Sequence, residues 1–373
     1  MRSVGDLTES DLIARIQAQL PPAPPWLVVG IGDDAAVIEP ERNRLEVLSV
    51  DTLVESVHFD RGFVPADAIG HRALAVNLSD LAAMGAAPRL ALLAMALPPA
   101  LALADFDAIV SGFCGLAARH RLHVAGGNLT RTPGPLTIDV TVAGTVKRRQ
   151  ALTRAGARPG DELYVSGTIG SAKAGLTLLR ERHAVVSHQS SGVSPQSSGS
   201  SLSRQADVSP TDASRLTTDD RRLTTAYLRP EPRVRLGVWL ARNRVASACI
   251  DLSDGLADGV HRIAEASGVG ITVDASALPI DDSARAAFSA RGADVMRETV
   301  AGGDDYELLF TVGRRKSRAI LAAAQHTGVP LTRIGACTVD RAVLVEHAGS
   351  KIPLPSVGFS HFAAGRTMAS SDR

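Results

Sequence analysis

Aspartates recur in this chain beside short apolar runs. Asp33 and Asp34 follow Leu27 to Ile31, Asp51 follows Leu45 to Val50, Asp251 and Asp254 follow Ala246 to Ile250, and Asp304 and Asp305 precede Tyr306 to Val312. A further one, Asp80, stands in Asn77-Leu78-Ser79-Asp80-Leu81-Ala82-Ala83-Met84-Gly85-Ala86-Ala87-Pro88, a nearly uncharged stretch of helical character. Burying such a carboxylate in ionised form costs several kcal/mol unless a cation meets it. A solitary aspartate is more often a helix cap or a hydrogen-bonded core residue. Carboxylates recurring at strand ends, however, can converge on one pole. Asp34, Ser49, Asp51, Asp80, Asp251 and Asp254 then offer hard oxygen ligands, the set magnesium prefers when it also bridges substrate phosphates. Such a site suits phosphoryl transfer, in which the protein supplies positioning and electrostatics.

Other candidates are weaker one by one. Arg154, in Arg149-Gln150-Ala151-Leu152-Thr153-Arg154, has the planar fork that binds two phosphate oxygens. Gly126-Gly127-Asn128 follows a strand and leaves backbone open to a ligand. His58 and Phe359, taken alone, read as a core or surface histidine and a packing aromatic. The familiar nucleotide cradles are missing. Gly167 to Lys173 resembles a phosphate-binding loop only loosely, and Gly30-Ile31-Gly32-Asp33-Asp34 puts two carboxylates where a dinucleotide pyrophosphate needs room.

The elements that must position these groups form two units, as expected for 373 residues. In the first, residues 1–147, Thr8 caps a helix over Leu7 to Leu20. Strands at Leu27 to Ile31 and Leu45 to Val50 lead to a helix at Ala66 to Met84. A strand at Leu90 to Leu97, a helix at Leu103 to Arg121 and strands at Leu122 to Ala125 and Leu136 to Val146 follow. The expected order is close to the ferredoxin-like β-α-β-β-α-β. The second unit, residues 148–373, reads as α/β. It has strands at Glu162 to Val165, Ala246 to Ile250, Ile271 to Val273 and Tyr306 to Val312, and a final apolar run at Ala342 to Val345. Helices fall after Gly170 and at Arg233 to Arg242, Asp254 to Ala266 and Lys316 to Thr327. Residues 184–222 are serine-rich and poor in apolar side chains, the composition of a disordered surface insertion.

With 40 basic against 39 acidic residues, the net charge of +1 gives no general attraction to nucleic acid or membrane. Cys114, Cys249 and Cys337 are odd in number and far apart, which points to a reducing, cytoplasmic setting with small core thiols. No apolar run reaches the ~18 residues needed to span a bilayer.

The runs Gly30-Ile31-Gly32-Asp33-Asp34, Asp51-Thr52-Leu53-Val54 with His58-Phe59, Asn77 to Ala86, Ala151-Leu152-Thr153-Arg154, Asp251-Leu252-Ser253-Asp254-Gly255-Leu256 and Gly302-Gly303-Asp304-Asp305-Tyr306-Glu307-Leu308 occur in this order. In that order they resemble the thiamine-monophosphate kinases. The likeness runs from the first helix to Gly358-Phe359-Ser360-His361-Phe362 and leaves out only the serine-rich segment. It implies the two-domain α+β fold of the aminoimidazole ribonucleotide synthetase superfamily, a homodimer formed through the N-terminal domain, and ATP in a cleft between the domains. It implies phosphorylation of thiamine monophosphate to thiamine diphosphate by direct in-line transfer. Magnesium would be held by Asp34, Ser49, Val50, Asp51, Asp80, Asp251 and Asp254. Gly127, Asn128, Arg154 and Ser253 would surround the nucleotide phosphates, and His58, Asp304 and Phe359 the thiamine phosphate. Where many members carry Thr this chain has Val50, which offers only its carbonyl. Asn128 replaces a frequent Asp, and Asp304 a common Glu. Two alternatives stand beside this reading: another ATP-using superfamily member that activates an amide or selenide oxygen, and a non-catalytic protein that binds metal and nucleotide.

Overall fold

The structure, a computed structural model, describes residues 2–190 and 216–355. In the first unit, α1 (Glu9–Gln17) begins at the expected cap, with the Thr8 Oγ1 accepting from the Asp11 N–H at 3.2 Å. After it come β1 (Leu27–Val29), β2 (Val37–Ile38), β3 (Arg44–Val54), α2 (Ala66–Ala83), β4 (Ala87–Leu97), α3 (Leu103–Arg119), β5 (His123–Arg131) and β6 (Thr137–Lys147). Four strands make one sheet in the order β3-β6-β4-β5, antiparallel except for the β4–β5 pair. The chain order is therefore β-α-β-α-β-β, not the expected β-α-β-β-α-β. Both helices precede β5, and β6 turns back to pair between β3 and β4 in the middle of the sheet.

The second unit comprises β7 (Glu162–Ser166), α4 (Ser171–Ser190), α5 (Thr218–Leu228), α6 (Val234–Arg242), β8 (Ala246–Asp251), α7 (Leu256–Ser267) and β9 (Gly270–Asp274). It continues with α8 (Asp282–Ala290), α9 (Val295–Ala301), β10 (Leu308–Val312), α10 (Arg318–Thr327), β11 (Leu331–Thr338), β12 (Val343–His347) and β13 (Ser350–Pro353). Its seven strands run β13-β12-β9-β11-β7-β10-β8. Only β12 and β9 pair in parallel. An α/β sequence pattern suggested more parallel pairing. Strands buried on both faces, such as β10, carry continuous apolar runs whichever way their neighbours point. The segment expected as an insertion at 184–222 narrows from both ends. α4 runs on to Ser190, and α5 starts at Thr218 because Thr217 and Asp220 cap each other and Leu223 and Tyr227 bury behind them. Residues 191–215 lie outside the described residues.

α2 is the element around which both units pack. A Cβ placed on Gly70 would stand 1.8 Å from the Ile109 carbonyl oxygen, and one on Gly112 would stand 1.9 Å from that of Asp67, so α2 and α3 cross backbone to backbone. On its other side a Cβ on Gly237 of α6 would come 1.9 Å from the Ala82 carbonyl oxygen. Small residues thus bring a helix of the second unit against the end of α2 that carries Asp80. Gly237→Ala is expected to cost on the order of 1–3 kcal/mol, because backbone cannot yield as a side-chain tip can. Thermal unfolding reads this directly, and an unchanged melting temperature would show that the crossing has slack.

Candidate active site

β3 alternates its side chains between two faces. Ser49 and Asp51 point toward α2, while Leu48 and Val50 are 71% and 57% exposed on the opposite face. Asp51 does not end its strand, as the sequence suggested, but pairs with Val140 in the middle of it. The Ser49 hydroxyl donates to Asp80, and Asp51 reaches Asp80 across a carboxyl–carboxyl contact that is favourable only with a shared proton or a cation between them. From the second unit, Asp251 at the end of β8 is buried and accepts from the Ser79 hydroxyl at 2.8 Å. Strand, helix and second-unit strand thus meet at one point.

Electrostatics marks this point. Burial, followed by the charges of Asp80 and Asp254, pushes the Asp51 carboxyl up to about 6. Burial and the Asp80 charge push Asp251 up to about 7. Asp80 is also raised by burial, against the opposing pull of the Ser49 hydroxyl and the Arg154 charge. A cleft of about 260 Å³ opens here, lined by Ser49, Asp80, Met84, Arg154, Cys249 and Asp251. A larger one, about 460 Å³, lies at Trp26, Arg44 and Arg89 and is lined by none of these carboxylates. Charge decides between the two, since perturbed carboxylates cluster where chemistry is done.

These oxygens suit a hard divalent cation by type. Among the described residues no group of three or more His, Cys, Asp or Glu side chains forms a ready-made cage. Magnesium does not need one. It commonly takes one or two carboxylates, keeps waters, and completes its shell with substrate phosphates. A consequence is testable without any substrate. Asp51 and Asp251 hold protons in the folded chain that they lose in the unfolded one, where carboxyls titrate near ~4. Between that value and about 7 the folded state binds more protons, so stability falls as pH rises through this range. In the presence of a chelator the melting temperature is expected to fall from pH 5 to pH 8, and magnesium to restore more of it at pH 8 than at pH 5. A metal effect equal at both pH values would contradict this.

Not every expected residue joins the cluster. Asp254 is near enough for its charge to act on Asp51. Val50 can contribute no more than its carbonyl. Asp34 is exposed in the turn between β1 and β2, where its N–H donates to the Asp33 carboxylate at 2.8 Å, and no described contact ties it to the other carboxylates. Gly127 lies in the same row as Asp51, across Val140 and Leu93, but at the opposite edge of the sheet, three strand spacings or about 14 Å away. Gly127 must be glycine, since a Cβ would stand 1.8 Å from the Leu93 carbonyl oxygen. Asn128, exposed, follows it on the same edge.

A second group gathers beside the first. Ser253 packs its carbonyl against the run Gly302 to Glu307, accepting from the Asp304 N–H at 2.7 Å. In that run the three acids do different work. Asp304, held at φ 67, pairs with the Arg72 Nη2 of α2 at 2.9 Å and accepts from the Tyr306 hydroxyl at 3.1 Å. Asp305 accepts the Gly170 N–H at 3.0 Å, and burial raises its carboxyl well above the usual range. Glu307 takes both arms of the Arg233 guanidinium and the Ser166 hydroxyl. His58 follows β3 and accepts the Val54 N–H on Nδ1 at 3.0 Å, which leaves the neutral ring's proton on Nε2. Its carbonyl accepts the Tyr227 hydroxyl at 3.2 Å. Phe359 lies outside the described residues. Sequence reasoning missed Arg72, Ser79, Tyr227 and Arg233. The available signal was Arg72 itself, a cation inside a helix of small apolar residues, which must find a partner once buried.

Two family models match in succession, the AIR synthase related protein N-terminal domain over residues 32–146 and the C-terminal domain over residues 158–346. The thiamine-monophosphate kinase of Escherichia coli strain K12 is 36% identical over 357 residues, 95% of this chain and 98% of that protein. Among solved structures, the thiamine-monophosphate kinase of Stenotrophomonas maltophilia K279a is 38% identical with a TM-score of 0.75, covering 92% of this chain and 98% of that one. AaThiL complexed with AMPPCP and TMP is 28% identical with a TM-score of 0.70, covering 97% and 99%. On these grounds the chain, built on the two AIR synthase related domains, belongs to the thiamine-monophosphate kinase family.

Proposed function

We propose that this protein transfers the terminal phosphoryl group of ATP to the phosphate of thiamine monophosphate, giving thiamine diphosphate and ADP, the last step of thiamine diphosphate biosynthesis. The carrying observation is the convergence of Asp51, Asp80 and Asp251, of which Asp80 and Asp251 line one cleft together with Arg154. The likeness to AaThiL complexed with AMPPCP and TMP supports the same reading.

Magnesium, when bound, neutralises charge on the phosphate oxygens. Asp51, Asp80, Asp251 and Asp254, with Ser49, Asp34 and the Val50 carbonyl, are its proposed ligands. Ser49 and Ser79 orient carboxylates by donating to them. Arg154 takes phosphate oxygens in its fork, and Ser253, Gly127 and Asn128 are the further proposed nucleotide contacts. The acceptor's phosphate is already an anion, so transfer calls for alignment and charge screening and no dedicated base. His58, Asp304 and Phe359 are assigned to thiamine monophosphate.

Pairing with a second copy is part of this reading. The outer face of the N-terminal sheet leaves Leu48, Val50 and Leu92 at 71%, 57% and 38% exposure, an apolar strip suited to the same strip on another chain. Three unpaired cysteines support a cytoplasmic setting. Among the described residues no helix is long and apolar enough to cross a membrane.

The test is direct. The folded protein with ATP, magnesium and thiamine monophosphate is expected to form thiamine diphosphate and ADP in equal amounts, with none when magnesium is chelated. Folded protein that yields no thiamine diphosphate would overturn the proposal.

A further inference from the structure

Resting on the function proposed above, we infer that Arg72 and Tyr227 are positioning residues that join the two halves of the acceptor site into one unit. His58 and Asp304 are far apart in sequence and belong to different domains, yet one chain of bonds connects them. The Tyr227 hydroxyl donates to the His58 carbonyl at 3.2 Å. The Tyr227 carbonyl accepts from the Arg72 Nη1, and the Arg72 guanidinium lies 4.2 Å above the Tyr227 ring. Arg72 Nη2 then donates to the Asp304 Oδ1 at 2.9 Å. Tyr227 is thus held by Arg72 at both its ring and its backbone.

The arrangement also specifies what Asp304 offers a ligand. The Arg72 side chain is 3% exposed and that of Asp304 33%, so the cation is enclosed and the carboxylate reaches the surface of the site. Both internal donors, Arg72 and the Tyr306 hydroxyl, use Oδ1. Among the described residues none is seen on Oδ2, which therefore serves as the oriented acceptor for an incoming N–H. Paired with a buried arginine, Asp304 carries little net charge toward the ligand. Its recognition of the acceptor is directional hydrogen bonding more than charge attraction. Asp304 sits at φ 67 and Tyr306 at φ 50, backbone that these side chains adopt only when their partners hold them there. Arg72 supplies that hold from the other domain.

The experiment measures apparent KM for thiamine monophosphate and for ATP in Tyr227→Phe, Arg72→Lys, Arg72→Met, Asp304→Asn and the Arg72→Met/Asp304→Asn double variant. Tyr227→Phe removes one hydrogen bond and is expected to raise the acceptor KM about three- to tenfold. ATP KM should stay within about twofold, since binding lost at one substrate need not touch the other. Arg72→Met is expected to raise the acceptor KM further, with Arg72→Lys recovering part of the loss. The double variant should lose no more than the worse single one, because the pair acts as a unit. If Arg72→Met does not fold, Tyr227→Phe and Arg72→Lys carry the test. Equal rises in both KM values, or additive losses in the double variant, would overturn the inference. Absence of any thiamine monophosphate turnover by the unsubstituted protein would instead sink the proposed function.

Discussion

Asp80→Asn is expected to abolish most turnover, on the order of a hundredfold or more, while leaving the fold intact and raising the melting temperature of the metal-free protein. The two effects have one cause. Asp80 stands where Asp51, Asp251 and the Ser49 hydroxyl converge, and it raises the protonation range of both other acids. Removing one charge from such a group relieves repulsion in the folded chain and takes away affinity for the cation proposed to bind there. Asp51→Asn should behave alike. The decisive pairing is activity against thermal stability in the presence of a chelator. Loss of activity together with a lower melting temperature would make Asp80 a structural residue, and the cluster a packed core with shared protons. Asp34→Asn supplies the contrast. Its side chain is exposed and apart from the cluster in this chain, so a loss as large as that of Asp80→Asn would show that the turn between β1 and β2 closes over the cation during the reaction.

Much of this site was legible in the sequence. An aspartate among small uncharged residues announces a partner, and Asp80 has several. The stretch around it was legible as a helix from its alanines and leucines, and what makes it central is close approach, since Gly70, Gly112 and Gly237 let α3 and α6 reach its backbone on two sides. What sequence could not reveal is which acid of a run does which work. Asp304, Asp305 and Glu307 look alike in Gly302-Gly303-Asp304-Asp305-Tyr306-Glu307, but their partners come from α2, from the turn at Gly170 and from the start of α6. Those partners lie roughly 70 to 230 positions away, and no local pattern encodes such separations. The strand β11 was missed because Thr332, Arg333, Gly335 and Thr338 break its apolar run, although the sheet needs it between β9 and β7. α5 was missed because most of its residues face outward and only Leu223, Thr224 and Tyr227 bury.

Glu307 is the acid for which structure makes the strongest stability prediction. It is 3% exposed, receives both arms of Arg233 and the Ser166 hydroxyl, and is crowded so closely by the turn at Gly167 that a Cβ there would stand 2.0 Å from its Oε1. Burial raises its carboxyl and the Arg233 charge opposes that rise. Arg233→Met should therefore leave a buried, uncompensated carboxylate and cost roughly 3–5 kcal/mol, far more than a surface ion pair contributes. The variant's deficit should shrink on acidification. Without Arg233 the folded-state carboxyl titrates higher still, so between the unfolded value and that one the folded chain takes up a proton the unfolded chain lacks, and stability falls as pH rises. Adding Glu307→Gln should return much of the loss, because an amide keeps an acceptor for Ser166 without the charge, and Ser166 in turn accepts the Leu308 N–H at 2.8 Å. Denaturant unfolding of the two single variants and the double variant at pH 5 and pH 8 separates these effects. A loss below about 1 kcal/mol in Arg233→Met, equal at both pH values, would mean that water reaches Glu307 and that the pair is only an orienting contact between α6 and β10.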